Sequence, residues 1–180
     1  MGSQAAAARL TPAEAADCLR AALGTLRAEL TGLPATALGW HPAPGEWCTK
    51  EVLGHLIEAE ERGFAGRVRA ILAAAEPPRF TGWDQPAVAR ARGDCAKDGA
   101  ALLGEFARAR EASITLVAGL REPDYARGGQ HPTVGFLTIG DLLHEWVHHD
   151  RNHLKQILAN VQEFVWPHMG NAQKFSRPGS

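Results

Sequence analysis

The 180-residue sequence predicts an all-α fold, a four-helix bundle with two long inter-helix connections. Three observations carry that expectation. The chain holds 32 alanines, many leucines and few β-branched runs, a composition that favours helix. Four long segments repeat apolar residues with the 3.6-residue period. Each spans about 20–27 residues, or roughly 30–40 Å at 1.5 Å per residue, long enough to lie side by side along one core.

The first helix is expected from about Pro12 to Leu30. Thr11 can cap the free N–H groups, Pro12 suits the first helical position and Glu14 can complete a capping box. Leu19, Leu23, Leu26 and Leu30 form its stripe, and Gly32 and Pro34 end it. A Pro- and Gly-rich loop with Trp40 and Trp47 follows. The second helix is expected from about Thr49 to Ala75, with Val52, Leu53, Leu56, Ile57, Phe64, Val68, Ile71 and Leu72 inward, and Pro77-Pro78 stops it. Gln85 to Arg92 can form one or two turns. The third helix covers Asp94 or Lys97 to Leu120, with Leu102, Leu103, Phe106, Ile114, Val117 and Leu120 inward. A second loop, Arg121 to Leu137, precedes a fourth helix that opens at Thr138, with Asp141 facing the helix dipole, and reaches about Glu163. Residues 1–10 are expected to be flexible, 11–166 to form the bundle domain, and 167–180 to be a disordered tail. Loops as long as the two main connections tend to be functional.

Composition narrows the function. A formal net charge of -1 argues against an electrostatic nucleic-acid binder. The longest run without Asp, Glu, Lys, Arg or His is Leu30–Trp40, too short to cross a membrane. No secretory signal is visible at the start. Cys18, Cys48 and Cys95 are odd in number and form no C-x-x-C pair, which reads as free thiols in a reducing cytoplasm and excludes a zinc finger by count, though one Cys could still join a mixed site.

Eight histidines are present, four of them between His144 and His153. Two pairs, 144/148 and 149/153, have the i,i+4 spacing that places two imidazoles on one helix face. On a wheel of 3.6 residues per turn, His149 and His153 lie on the flank of the apolar arc of Leu142, Trp146, Ile157 and Leu143. His144 and His148 fall with Asp141, Asn152 and Lys155, the solvated side. Two inward histidines need buried partners; a shared metal ion and ordinary hydrogen bonds both remain open. The second helix offers one further histidine, His55, at the edge of its core stripe, with small Ala59 one turn on. Three His ligands on two helices would leave a metal position open, the catalytic arrangement, where a bound water or thiol loses its proton near neutral pH. Glu58, Glu145 and Asp150 are candidate catalytic acids or proton carriers; each can equally be a plain ion-pair residue. Asp150 lies inside the apolar arc and needs a partner, for which Arg62 and Arg110 are available. His41, His131 and His168 read as loop residues, with His131 able to overhang the site, and the tryptophans read as packing. No nucleophile elbow, phosphate loop, dinucleotide fingerprint or H-E-x-x-H is present, and the single Glu145-x-x-His148 falls short of the paired motif of a di-iron site.

Glu46-Trp47, the string Lys50-Glu51-Val52-Leu53-Gly54-His55-Leu56 and Glu60 together resemble the second helix of the DinB/YfiT-like superfamily. Thr138, Leu142-Leu143, Trp146 and His149-Asp150-Arg151-Asn152-His153-Leu154-Lys155-Gln156-Ile157 resemble its last helix, so the resemblance covers roughly Thr11 to Glu163. It implies a four-helix bundle with a divalent metal, zinc or nickel, on His55, His149 and His153, a homodimer and a small-molecule substrate. Members with known activity include S-transferases and isomerases that use a low-molecular-weight thiol (mycothiol, bacillithiol or glutathione); others are hydrolases. Three readings follow: a metal-dependent thiol S-transferase, a metal-dependent hydrolase with Glu58, Glu145 or Asp150 as base, and a non-enzymatic metal-binding, stress-associated bundle. The family name refers to induction by DNA damage and is not read as DNA binding. Relatives often carry Ser or Thr where this chain has Cys48, which is either an extra metal ligand or a small buried thiol with Thr49 as the cap.

Overall fold

A computed structural model describes residues 9–176. Helix α1 (Pro12–Thr31) opens with the expected capping box: Thr11 accepts from the Glu14 amide and the Glu14 carboxylate accepts from the Thr11 amide. A short helix α2 (Ala35–Leu38) lies in the first connection, followed by α3 (Thr49–Glu58) and α4 (Ala65–Ala73). Between α3 and α4 the expected continuous second helix is widened by a π turn over Ala59–Phe64. Gly66 is required by that turn, because a side-chain carbon there would overlap the carbonyl of Glu61. Such π insertions concentrate at functional sites.

Helix α5 (Gln85–Arg92) occupies the stretch foreseen for one or two turns and ends at Gly93, whose φ of 58° is left-handed. A 3-10 turn (Asp94–Ala96) leads to α6 (Gly99–Ala118), which starts later than expected because Asp98, not Asp94, caps it. The second connection is more ordered than a loop. After a 3-10 turn (Glu122–Ala126) it forms an antiparallel hairpin, β1 (Gly128–His131) with β2 (Gly135–Thr138). The segment after α4 is tied to that hairpin by mutual backbone bonds of 2.8 Å between Phe80, Gln130 and Pro78. Helix α7 (Ile139–Val165) then begins at a Thr138–Asp141 capping box.

The long helices pack as the expected bundle, α1 and α3 each lying against both α6 and α7. The core has two apolar clusters, one around Leu19, Val68, Ile139 and Trp146, the other around Leu26, Leu53, Phe106 and Ile157. Among the described residues no helix is long and apolar enough to cross a membrane.

The ends depart from expectation. Gly170–Ser176, expected to be disordered, forms a 3-10 helix. Leu10 is tied to the bundle through a 3.0 Å bond from its amide to His144 Nε2, so order begins before Thr11. The expected flexibility of residues 1–8 and disorder of 177–180 lie outside the described residues.

Candidate metal centre

His55, His149 and His153 are brought together at one side of the core, with one ring nitrogen of each within 4.8 Å of the others. α3 supplies the first and α7 the other two. His55 Nε2 and His149 Nε2 are 3.0 Å apart, and the His149 and His153 ring centres are 4.5 Å apart. The His153 Nδ1 is 2.9 Å from Gln156 Oε1, an arrangement in which Nδ1–H donates to the amide and Nε2 keeps a free lone pair. The rings are held by aromatic walls: Trp83 stacks on His55 at 5.9 Å, Trp47 lies 5.2 Å from it, and Phe64 meets His149 edge-on at 5.2 Å.

All three imidazoles are kept neutral. Burial pushes His55 down to about 4, with the His153 charge adding to it, and pushes His149 down to about 3, helped by His153, His55 and Arg110. Burial also lowers His153, against the Gln156 bond and the Asp150 charge. Neutral imidazole is the form that ligates a metal. His149 Nδ1 is buried without a hydrogen-bond partner. Converging neutral nitrogens and a Gln that orients one ligand suit a divalent cation. Three ligands would leave coordination open towards the adjoining cavity.

That cavity has a volume of about 800 Å³ and reaches His55 and His149 at its floor. Its walls come from the π turn, from Trp83 and from the hairpin, which contributes His131, Thr133, Val134 and Leu137. His131 thus overhangs the site. Arg67 is also in the wall; burial lowers its pKa, it lies over the face of Phe80 at 5.5 Å, and its charge helps to lower the pKa of His131. The sequence reads Trp83 as packing and carries no signal for Arg67; the unusual length of the second connection is the one pointer to the hairpin.

The candidate acids separate. Asp150 is buried and takes two bonds from Arg110, at 2.6 and 2.8 Å, so of its two possible partners Arg110 is the one used. Arg110 also donates to Glu60 Oε1 through Nε at 2.8 Å and Nη2 at 2.5 Å, and Trp146 Nε1 donates to the same oxygen at 3.0 Å. Burial opposes the charge on Arg110, but Asp150 and Glu60 outweigh it and raise its pKa. Glu58 receives Arg62 at 2.5 Å and Arg92 at 2.9 Å. Burial alone would raise its pKa, yet the two guanidiniums hold it below the usual carboxylate range. Both Glu58 and Asp150 are therefore engaged as ion-pair partners. Glu145 is exposed, lines the cavity beside His149 and is the candidate acid free to face a substrate.

His148 is solvent-facing as expected, with Glu145 4.0 Å away. His144 is not. It is half-buried, accepts from the Leu10 amide and places Nδ1 2.7 Å from the Gly140 carbonyl. Cys48 is no fourth member of the three-His group. It is fully buried, precedes α3 as its cap residue in place of Thr49, and lies instead beside His41 and Cys95.

Known structures share this architecture. YfiT from Bacillus subtilis, described as a probable metal-dependent hydrolase with an unusual four-helix bundle topology, superposes with a TM-score of 0.79 at 18% identity, covering 92% of this chain and 94% of that one. TT2238, a four-helix bundle protein, gives 0.59 at 23% identity over 83% and 99% of the two chains. A conserved protein from Enterococcus faecalis gives 0.64 at 12% identity over 88% and 99%. No curated protein sequence matches the chain. The family model for the DinB superfamily matches residues 18–157, a span that takes in His55, the π turn, Arg110 and both inward histidines of α7, and the chain belongs to that superfamily.

Proposed function

We propose that this protein is a metal-dependent enzyme in which His55, His149 and His153 hold one divalent cation, zinc or nickel, at the floor of the cavity. The observation that carries the reading is the convergence of three neutral ring nitrogens within 4.8 Å of one another. A cation there supplies Lewis acidity and lowers the pKa of a bound thiol or water. The chain's own residues do the rest. Gln156 fixes the His153 ring, Trp83 and Phe64 hold His55 and His149, and the hairpin with His131 forms one wall of the cavity.

Transfer of a low-molecular-weight thiol to a small electrophile fits this geometry best. A thiol brings its own nucleophile, whereas two of the three candidate bases, Glu58 and Asp150, are occupied by arginines. Arg67 in the wall favours a ligand with an acidic group, which glutathione and bacillithiol carry and mycothiol does not. Hydrolysis is the second reading. Exposed Glu145 beside His149 favours it as the base, as does the structural likeness to YfiT. We extend the reading to a homodimer, supported by the exposed apolar Val134 and Phe136 at the hairpin.

Elemental analysis of the purified protein beside His55→Ala, His149→Ala and His153→Ala tests the centre; each variant is expected to lose the cation bound there. Metal retained by all three, but lost in His144→Ala or His148→Ala, overturns it. Consumption of free thiol with an electrophile, dependent on metal and indifferent to Glu145→Gln, supports transfer. Metal-dependent turnover without thiol that collapses in Glu145→Gln establishes hydrolysis.

A further inference from the structure

A second group of metal-binding side chains lies outside the three-His site. His41, Cys48 and Cys95 each bring one ligand atom within 4.8 Å of the others, although 54 positions separate the first from the last. Cys95 Sγ is 3.4 Å from His41 Nε2 and 3.6 Å from the Gly39 carbonyl. His41 Nδ1 is 2.8 Å from the Glu46 carbonyl, so Nδ1–H donates there and the Nε2 lone pair is aimed at the two sulfurs. That backbone bond on the far ring nitrogen is how proteins orient a ligating histidine. The Glu51 carboxylate, 3.5 Å from the same ring and bonded to the Cys48 amide, adds negative charge beside the group.

Each ligand is set by a different element. His41 follows α2, Cys48 opens α3, and Cys95 sits in the 3-10 turn after α5. The turn is drawn onto α3 because Gly54 has no side chain: a methyl there would overlap the Asp94 carboxylate, which Arg92 and Lys97 hold in place.

We propose that His41, Cys48 and Cys95 form a second cation site, selective for a zinc-class ion, that clasps the first connection to α3 and to the turn before α6. Two thiolates and one imidazole select a borderline-soft cation, and His41, exposed in its side chain, leaves the fourth position to solvent. Loading breaks two S–H bonds, releases two protons to solvent and forms two metal–sulfur bonds, with no change of oxidation state. Without the cation, burial and Cys95 push the Cys48 thiol up to about 12, against the Glu51 backbone bond, so it rests as the protonated thiol.

Cobalt loading of the full chain, with a phosphine as reductant, reads this site apart from the histidine centre, which has no sulfur. The expected result is a near-ultraviolet thiolate-to-cobalt charge-transfer band. It should vanish in Cys48→Ser and in Cys95→Ser, weaken in His41→Ala, and persist when His55, His149 and His153 are all replaced by Ala. Zinc content should fall from about two per chain to about one in Cys95→Ser. Cys95 is only partly buried, so that variant decides the matter even if Cys48→Ser does not fold. Absence of the band in the wild-type protein, its survival in Cys95→Ser, or a chain two mass units lighter from a Cys48–Cys95 disulfide overturns the proposal.

Discussion

Two polar clusters are buried side by side in this bundle, and they solve burial in opposite ways. In the first, Arg110 is fully buried and all three of its guanidinium nitrogens donate, to Glu60, Asp150 and the Leu19 carbonyl. Its charge is answered within the protein, although Glu60 Oε2 is buried without a partner. In the second, three imidazoles give up their charge to be buried, and one ring nitrogen of each converges on the others beside the cavity. The first cluster is closed and the second is open. They are also coupled in space: Asp150 follows His149 in the chain, and Phe64 touches His149 while stacking on Trp146. The neighbours act on the histidines in opposite directions: Arg110 lowers the pKa of His149, while Asp150 works to raise that of His153.

Breaking the closed cluster should have the largest effect. Arg110→Ala strands two buried carboxylates and is expected to cost about 3–5 kcal/mol, because removing one partner of a buried ion pair leaves an uncompensated charge. Chemical denaturation of the metal-free protein measures it. A loss under about 1 kcal/mol would mean that water reaches Glu60 and Asp150, and that the cluster is not closed.

Filling the open cluster should have the opposite sign. A cation at a hundred times its dissociation constant adds about 2.7 kcal/mol, which for a chain of this size raises the melting temperature by roughly 5–11 °C. The same cluster makes the metal-free protein acid-sensitive. His55 and His149 take protons in the folded state only near about 4 and about 3, while in the unfolded chain they do so near 6.5. Between those limits the unfolded state binds more protons, so stability falls as pH drops below 6.5 and is unaffected by these groups above it. Melting temperatures from pH 8 to pH 4 should show that decline, with a shallower slope in His149→Ala. Equal slopes would remove the histidines as its cause.

Gln156→Ala tests the orientation of one ligand without removing it. Deleting a group that aligns a metal-bound histidine typically weakens binding by about 10–100-fold. Titration with a competing chelator should find that loss, with the folded fraction unchanged. Undiminished affinity would show that His153 is oriented by packing alone.

Both clusters were partly visible in the sequence, for different reasons. His149 and His153 share an apolar flank on one helix, and the 3.6-residue period alone separates them from His144 and His148. His55 needed the resemblance as well, since a lone histidine on a stripe is ambiguous. Asp150 stood out as a charge inside an apolar arc. Glu60 falls in the arc of Leu53 and Leu56, and Arg110 in that of Phe106 and Ile114, so a wheel drawn for every helix would have shown three charges in three core stripes. The hairpin and the His41–Cys48–Cys95 group were not legible. Gly128 and Gly129 carry no alternating pattern, and the second group is assembled from three separate segments by Gly54 and Asp94. Periodicity reports on one element at a time, and a site built across three leaves no period to read.

The smallest expected effects separate histidine density from histidine placement. His144 and His148 repeat the spacing of His149 and His153 five residues earlier, so if spacing alone made a metal centre they would matter as much. His148 is exposed, and its alanine variant should change stability by less than about 0.5 kcal/mol. His144 accepts the Leu10 amide across 134 positions of sequence, and its loss should cost about 1 kcal/mol, or roughly 2–4 °C in melting temperature. Neither variant should alter metal content, because neither ring reaches the cavity floor. A drop in bound metal in His148→Ala would move the open cluster to the outer face of α7.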